Sequence, residues 1–330
     1  MAGQMLDCAR RIVLALATAA GLSIATLAVN ATSPAMAEEV SLCPSQVPVA
    51  FKTADVAGVR IFYREGGDSS KPTIVLLHGF PSSSYSFHDL IPRLTDRFHV
   101  IAPDYPGMGF SDAPAPTVLR PTFDDVSMVM DAFIARRAAG PVMLYMHDIG
   151  SPIGMRFARA HPERIAGLII QNTTISKEGW NPAVLSFYEK IGGTETPDKL
   201  AEAEKRFTID RSRFLHQTGA RRPEAVNPDN WGIDAYAFSI EADLLFMSRL
   251  LMNLATNVSH YPEWNAYLKD RQPKTLIVWG RNDPLFTPAA PELIKQTVPA
   301  AEVRYFDGGH FALDEYADAV ADAIIETFSR

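Results

Sequence analysis

Three ionisable residues occur along the chain in the order carboxylate, carboxylate, imidazole. Asp148, Asp283 and His310 each follow a short apolar stretch of strand character. Because ligand and catalytic groups gather at the carboxyl ends of strands in open α/β sheets, we expect the three to meet in one cleft. Singly, Asp148 is typical of a helix N-cap residue and the other two of loop residues. The catalytic interpretation depends on the three together.

The chemistry available to Asp148 differs from that of a serine at the same place. An aspartate with an ordinary pKa of about 3.9 is ionised at neutral pH and needs no base before it attacks. Attack on a saturated carbon gives an alkyl ester of Asp148. His310 can then activate a water against that ester, while Asp283 orients the imidazole and stabilises its cation.

The elements that would position these residues alternate between strands and helices. The buried strands, rich in Val, Ile and Leu, are predicted at residues 73–77, 99–104, 142–147, 166–171, 275–280 and 302–306. Helical segments lie between them, which indicates an α/β fold with a mainly parallel sheet and helices on both faces. Residues 49–67 predict an antiparallel hairpin before this sheet.

A second region interrupts the alternation. Residues 173–265 are helical in pattern, rich in Phe, Leu, Met and Trp, and contain no convincing buried strand. We interpret them as a helical cap inserted into a core of residues 38–172 and 266–330. Their apolar side chains either line a pocket or only pack the cap.

The first 37 residues are typical of a cleavable export signal. Arg10 and Arg11 precede an apolar run from Ile12 to Val29, and an Ala-Met-Ala site ends at Ala37. This order predicts a signal peptide cut after Ala37 and a secreted or periplasmic protein. An uncleaved membrane anchor is the alternative, because the run approaches the length of a span. After signal removal we expect no stable membrane insertion.

Composition narrows the range of partners. The net charge is −7 and no basic run occurs, which argues against nucleic acid. Cys43 remains alone once the signal is removed and cannot form an internal disulfide. The histidines show no metal-ligand spacing, so we predict neither a metal nor another cofactor. We expect a small apolar substrate, and a homodimer is left open beside a monomer.

Five segments together resemble one family. They are LLHGFPSSSYSFHDLIP, HVIAPDYPGMGFSD, HDIGSPIGMRFARAHPERIAGLIIQN, VWGRNDPLF and DGGHFALDE, in the family's order from residue 76 onward. The chain is similar to the α/β-hydrolase fold superfamily, in the branch of epoxide hydrolases and haloalkane dehalogenases with an aspartate nucleophile. The resemblance implies that fold, with Asp148, Asp283 and His310 as catalytic triad.

Further roles follow from the same resemblance. The backbone N–H groups of Phe80 and Ile149 are implied as the oxyanion hole. His78 and His147 are implied as structural residues of the two loops. Met146 departs from the family, because the position two before the nucleophile usually holds a small residue.

The residues around the nucleophile separate the possible substrates. Haloalkane dehalogenases hold the departing halide with a tryptophan and an asparagine, where this chain has Ile149 and Phe80. Fluoroacetate dehalogenases bind a carboxylate through two arginines, where this chain has Ile149 and Pro152. These departures favour an epoxide hydrolase, with a dehalogenase-like hydrolase as the alternative. A non-catalytic binding protein with the same fold is the alternative from another class.

Epoxide opening also needs proton donors for the emerging alkoxide. Epoxide hydrolases usually supply a pair of cap tyrosines, and Tyr188 lies near the expected first position. The helix expected to carry the second tyrosine has none, so two alternatives are open: Tyr236 substitutes for it, or the second donor is absent. Tyr261, Tyr267 and His216 are further potential donors.

Overall fold

The computed structural model describes residues 48–329. The predicted signal peptide, its cleavage site at Ala37 and the unpaired Cys43 lie outside these residues. Within the described range, no helix combines the length and the apolar character that crossing a membrane would require.

One eight-stranded sheet forms the centre of the molecule. Its spatial order is β1-β2-β4-β3-β5-β6-β7-β8, with β1, β2 and β4 paired antiparallel and the remaining pairs parallel. The strands are β1 Ala50–Val56, β2 Val59–Gly66, β3 Thr73–Leu77, β4 His99–Pro103, β5 Val142–His147, β6 Ile165–Gln171, β7 Thr275–Gly280 and β8 Glu302–Phe306. The predicted parallel strands and the predicted hairpin are therefore confirmed.

Eleven α-helices are present in the described residues. They are α1 Ile91–Leu94, α2 Phe123–Arg137, α3 Gly150–Ala160, α4 Pro182–Ile191, α5 Pro197–Glu204, α6 Ile209–Gln217, α7 Asp229–Phe238, α8 Glu241–Met252, α9 Tyr261–Arg271, α10 Ala289–Thr297 and α11 Leu313–Phe328.

The central strand β5 shows why its sequence lacks polar alternation. Leu144 and Met146 face one apolar cluster, whereas Met143 and Tyr145 face the cluster on the opposite side of the sheet. All six residues of β5 are buried. A strand covered on both faces has no solvent side, so a continuous apolar run is the expected sequence.

Between β6 and β7 the named elements are all helices, as the composition of this region indicates. Helices α5 and α8 pack together, as do α6 and α7. The predicted cap boundary at residue 265 falls inside α9, which contacts the core helices α3 and α10. The sequence pattern cannot locate this boundary because α9 continues the helical character of the preceding segment.

Two glycines explain how Met146 fits beside the sharp turn after β5. A Cβ on Gly154 would lie 2.5 Å from the Met146 sulfur, and one on Gly150 would lie 2.3 Å from the Leu77 carbonyl oxygen. Helix α3 therefore approaches β5 and β3 closely because these two positions have no side chain. The bulk of Met146 is accommodated by α3.

A buried imidazole joins the helical region to α11. His216 in α6 lies 2.7 Å through Nδ1 from Asp314 Oδ2 and 3.3 Å through Nε2 from Asp234 Oδ2. Its ring stacks on that of Phe311 with 3.9 Å between centroids. Burial lowers the pKa of His216, but the charges of Asp314 and Asp234 outweigh burial and raise it from 6.5 to about 9.

The His216 cluster predicts a specific dependence of stability on pH. Because the folded pKa exceeds the ordinary value, the stabilisation is complete below pH 6.5 and is lost as pH rises to about 9. The loss amounts to roughly 3 kcal/mol in the free energy of unfolding. Urea unfolding at a series of pH values measures it in the wild type and in His216→Gln.

The surface pair of His161 with Asp131 offers a matched control. We expect His161→Gln to keep the pH dependence of the wild type and His216→Gln to flatten it. Equal slopes in all three proteins would contradict a charged His216 in the folded state.

Candidate active site

Asp148 occupies a strained turn between β5 and α3. Its φ is +49°, in the left-handed region that residues other than glycine rarely adopt. The turn is held by the Thr173 hydroxyl, which donates to the Asp148 carbonyl oxygen at 3.0 Å. A strained strand-to-helix turn is the nucleophile elbow of hydrolases, and it directs the side chain away from the sheet.

The Asp148 carboxylate contacts the loop after β3. The backbone N–H of Phe80 donates to Asp148 Oδ1 at 2.9 Å. A Cβ on Gly79 would lie 2.7 Å from the Asp148 Cβ, so the absence of a side chain there permits this approach. Asp148 therefore does not act as a simple N-cap of α3, because its side chain reaches across to another loop.

The ionisation of Asp148 reflects opposing influences. Burial raises its pKa above the ordinary value of 3.8, whereas the positive charge of His310 and the N–H groups of Phe80 and Ile149 lower it. The net direction is upward. The two backbone donors predicted as an oxyanion hole thus act on the carboxylate itself.

Asp283 and His310 form a buried pair at neighbouring strand ends. Asp283 follows β7, His310 follows β8, and Asp283 Oδ2 lies 2.9 Å from His310 Nδ1. Both side chains are inaccessible to solvent. Asn172, directly after β6, donates through Nδ2 to the same Asp283 oxygen at 2.7 Å.

The other Asp283 oxygen is also fixed. Oδ1 accepts from the backbone N–H groups of Leu285 at 2.7 Å and Phe286 at 3.2 Å. A carboxylate held on both oxygens cannot rotate freely. It therefore sets the orientation of the His310 ring and selects the tautomer with a proton on Nδ1.

His310 presents its second nitrogen to Asp148. The Nε2 atom lies 3.9 Å from Asp148 Oδ2, is buried, and has no hydrogen-bond partner among residues 48–329. This separation exceeds a direct hydrogen bond. Burial lowers the pKa of His310, whereas the negative charge of Asp283 and, to a smaller extent, that of Asp148 raise it. The resulting pKa lies above the ordinary value of 6.5.

His147 and His78 have structural contacts, as the resemblance implies. His147 Nε2 lies 3.1 Å from the His310 carbonyl oxygen, and burial holds the pKa of His147 well below 6.5, so the neutral ring donates there. Burial also lowers the pKa of His78, to about 4, and its ring stacks on Tyr105 at 3.9 Å. Both rings support the loops of the site.

Two cavities meet at Asp148. One is lined by Asp148, Ile149, Pro152, Thr173, Thr174, Trp180, Leu254, Asn257, Tyr261, Trp264 and Phe286. The other is lined by Phe80, Pro81, Asp148, Tyr188, Arg206, Phe207, Arg211, Leu215, Leu251, Leu254 and Leu285. The region after β6 supplies much of both linings.

The two predicted tyrosines have different positions. Tyr188 in α4 lines the second cavity together with Asp148. Burial raises the pKa of Tyr188, and the Asp148 charge adds to this rise. Tyr236 is not brought to the site, because it is 50% exposed and packs against Phe110. His216 is not available as a donor to substrate either, because both of its nitrogens face carboxylates.

Tyr261, one of the further potential donors, lies in the first cavity together with Trp180, a partner that the sequence did not predict. The Trp180 indole N–H donates to the Tyr261 hydroxyl oxygen at 2.7 Å. Both side chains are buried and line the cavity with Asp148. Since the Tyr261 oxygen accepts from Trp180, its own proton can be donated elsewhere. Burial raises the pKa of Tyr261, and the nearby Asp148 charge contributes to the rise.

Part of this arrangement had a signal in the sequence. Asn172 follows β6 as Asp148 follows β5, so its place at the strand end could have suggested contact with Asp283. Trp180 and Tyr261 are 81 positions apart, and no local pattern links them. Within residues 48–329, no group of three or more His, Cys, Asp and Glu side chains is arranged to hold a metal ion.

Comparison with known proteins assigns the family. The model of the alpha/beta hydrolase fold matches residues 72–317. An uncharacterized hydrolase of Saccharomyces cerevisiae is 33% identical over 280 residues, which cover 83% of this chain and 94% of that protein. Haloalkane dehalogenase 2 of Mycobacterium tuberculosis is 26% identical over 300 residues, covering 86% and 97% of the two chains.

A solved structure supports the same fold. The epoxide hydrolase CorEH without ligand superposes with a TM-score of 0.68 at 20% identity, covering 86% of this chain and 99% of that chain. The fold and the family predicted from the sequence are confirmed. This chain is a hydrolase of the α/β-hydrolase fold family, and its sequence is similar to that of a haloalkane dehalogenase.

Proposed function

We propose that this chain is an exported epoxide hydrolase that works through a covalent ester on Asp148. The observation that carries the proposal is the division of labour between the two carboxylate oxygens. Oδ1 accepts from the Phe80 N–H at 2.9 Å, whereas Oδ2 lies on the side of His310. With Oδ1 in the oxyanion site, a substrate carbonyl would have to displace it.

The first step is ring opening by the carboxylate. Asp148 Oδ2 forms a bond to an epoxide carbon, and the bond from that carbon to the ring oxygen breaks. The emerging alkoxide takes a proton from a hydroxyl in the cavity wall. Tyr261 and Tyr188 are the donors that we assign, because each lines a cavity that ends at Asp148. Their raised pKa values keep both phenols protonated until the more basic alkoxide forms.

The second step is hydrolysis of the ester. His310 Nε2 takes a proton from a water that attacks the Asp148 carboxyl carbon. The negative charge then develops on Oδ1, which already accepts from the Phe80 N–H. Breaking the bond between the carboxyl carbon and Oδ2 releases a diol, which takes the proton held by His310. The second proton of the water is left on the Asp148 carboxyl and returns to the tyrosine that was deprotonated in the first step, so the free enzyme is restored.

Alkylation itself prepares His310 for the second step. In the free enzyme, the negative charge of Asp148 helps to raise the pKa of His310. Ester formation removes that charge, so the pKa of His310 falls and the neutral, basic form is favoured. The two steps are therefore linked through the charge of one carboxylate.

A haloalkane dehalogenase is the second candidate, favoured by the relative from Mycobacterium tuberculosis. Halide release requires N–H or O–H donors near the reacting carbon. Ile149 provides an apolar side chain, and the Trp180 N–H already donates to Tyr261. Epoxide opening instead uses the Tyr261 proton, which makes it the better-supported reaction.

The export component depends on the N-terminal sequence. Basic residues, the apolar run and the Ala-Met-Ala site support cleavage after Ala37. Expression in a bacterial host should yield a periplasmic or extracellular chain that begins at Glu38, as measured by intact mass. A full-length chain in the membrane fraction would contradict cleavage.

Trapping of the ester tests the proposed reaction. We expect His310→Ala to form the ester at Asp148 but to hydrolyse it at least roughly 100-fold more slowly, because the base is missing. Intact-protein mass and peptide mapping after incubation with epoxides should show a gain of the whole epoxide on Asp148.

The remaining outcomes separate the rivals. His88→Ala, a partly exposed histidine outside the site, should turn over epoxide without an accumulated adduct. A gain of only an alkyl group from haloalkanes would identify a dehalogenase. Reversible binding without an adduct or turnover would support the binding protein.

The two tyrosines should affect the first step. We expect Tyr261→Phe and Tyr188→Phe each to slow ester formation by roughly 10- to 100-fold, since each removes a proton donor. Rapid-quench measurement of the adduct in the His310→Ala background isolates this step. Tyr236→Phe is the matched control, because Tyr236 lies outside both cavities. Unchanged rates in both variants would remove these tyrosines from the mechanism.

A further inference from the structure

Two arginines face one of the cavities that ends at Asp148. Arg206 follows α5, Arg211 lies in α6, and both line the cavity with Phe80 and Tyr188. Both arginines are partly buried. In the part of the chain that the structure describes, no carboxylate lies within ion-pair distance of either guanidinium. Two positive groups are thus directed at the substrate region without a protein counter-charge.

Aromatic rings support both guanidinium groups. Arg206 Cζ lies 3.7 Å from the centre of the Phe187 ring, and Arg211 Cζ lies 4.7 Å from that of Phe214. Such stacking occupies the flat face of a guanidinium and leaves its in-plane N–H donors free. The rings therefore position the two side chains without satisfying their hydrogen-bonding capacity.

Acidic residues are available nearby but do not bind this pair. Glu202 interacts with Lys205 at 2.6 Å, and Asp210 between the two arginines is exposed. Elsewhere in the same helical region, Arg249 makes two hydrogen bonds to Glu195, at 2.9 and 3.0 Å. Arg206 and Arg211 therefore differ from Arg249, whose carboxylate partner belongs to the protein itself.

The charge of the pair is costly without an anion. Burial lowers the pKa of Arg211, and the neighbouring charge of Arg206 lowers it further. Both effects disfavour the cationic form that arginine nevertheless retains. A ligand anion between the two groups would offset the repulsion and supply acceptors for the free N–H donors.

We propose that Arg206 and Arg211 bind a carboxylate of the substrate and place its electrophilic carbon at Asp148. This inference rests on the proposed function and names its substrate class, an epoxide that carries a carboxylate. It replaces the expectation of a wholly apolar substrate. The arginines belong to the helical region, not to the two positions after the nucleophile that fluoroacetate dehalogenases use.

A carboxylate fits the cavity better than a phosphate monoester does. It accepts two parallel hydrogen bonds from a guanidinium and brings a single negative charge. A phosphate monoester would bring close to two charges into a cavity that already contains the Asp148 carboxylate. The two arginine charges offset the single charge of a carboxylate beside Asp148 more readily than the two charges of a phosphate monoester.

Matched substrates test the assignment. Para-carboxy styrene oxide and its methyl ester carry the same epoxide and differ in charge. We expect the wild type to prefer the carboxylate in kcat/KM, and Arg206→Gln and Arg211→Gln to lower the carboxylate-to-ester ratio by roughly 10- to 100-fold each. Arg213→Gln is the control, because Arg213 is exposed on the same helix and outside the cavity. An unchanged ratio in both cavity variants would overturn the proposal.

A binding measurement keeps this test independent of catalysis. Para-ethylbenzoate and para-ethylbenzamide lack an epoxide, and calorimetric titration of the wild type should show tighter binding of the carboxylate. That preference should disappear in the Arg206→Gln, Arg211→Gln double variant. Equal affinities would refute carboxylate binding even if epoxides react. A preference for the carboxylate without turnover of any epoxide would instead refute the proposed reaction and still support carboxylate binding by the two arginines.

Discussion

The central constraint on this molecule is a negative charge buried at a strained turn. Asp148 is 7% exposed and has a left-handed backbone. Removing a carboxylate from water is expensive unless donors and a counter-charge replace the solvent. The Phe80 N–H, the Ile149 N–H and the His310 imidazole provide that replacement. Phe80 and His310 lie far from Asp148 in the sequence, so the fold must bring their segments to Asp148 if the buried carboxylate is to stay ionised.

The sheet satisfies this requirement through close packing. Gly79 lets the loop after β3 approach Asp148, and Gly150 lets α3 begin directly against Leu77. Asp283 and His310 reach the same edge because β7 and β8 run parallel to β5. The histidine is thereby fixed from one side by Asp283 and directed at Asp148 from the other. The backbone strain at Asp148 is offset by contacts with residues that lie far from it in the sequence.

Sequence reasoning predicted the core because its signals are local. Strands covered on both faces need continuous apolar runs, and Asp148, Asp283 and His310 lie one, three and four residues after the ends of their strands. The helical region follows other rules, since its helices pack on one another and on the sheet at once. Tyr236 and Tyr261 look equivalent in the sequence, yet only the partner of Trp180 reaches the cavity. That contact joins positions that no periodicity relates.

The lack of a local sequence signal also explains why the positive charge of the two arginines in the cavity was not predicted. Arg206 and Arg211 lie in a stretch with Glu202 and Asp210, and a sequence of alternating charges is typical of a solvated helix surface. Only the three-dimensional structure shows that the two arginines line the cavity that contains Asp148, without either acid as an ion-pair partner. A cavity with one buried anion and two unsatisfied cations is electrostatically incomplete. A neutral epoxide would leave the two cations unpaired, whereas an anionic one completes the balance and is oriented by it. In the proposed reaction, the burial of Asp148 therefore also favours a substrate whose charge is held at a distance from the reacting carbon.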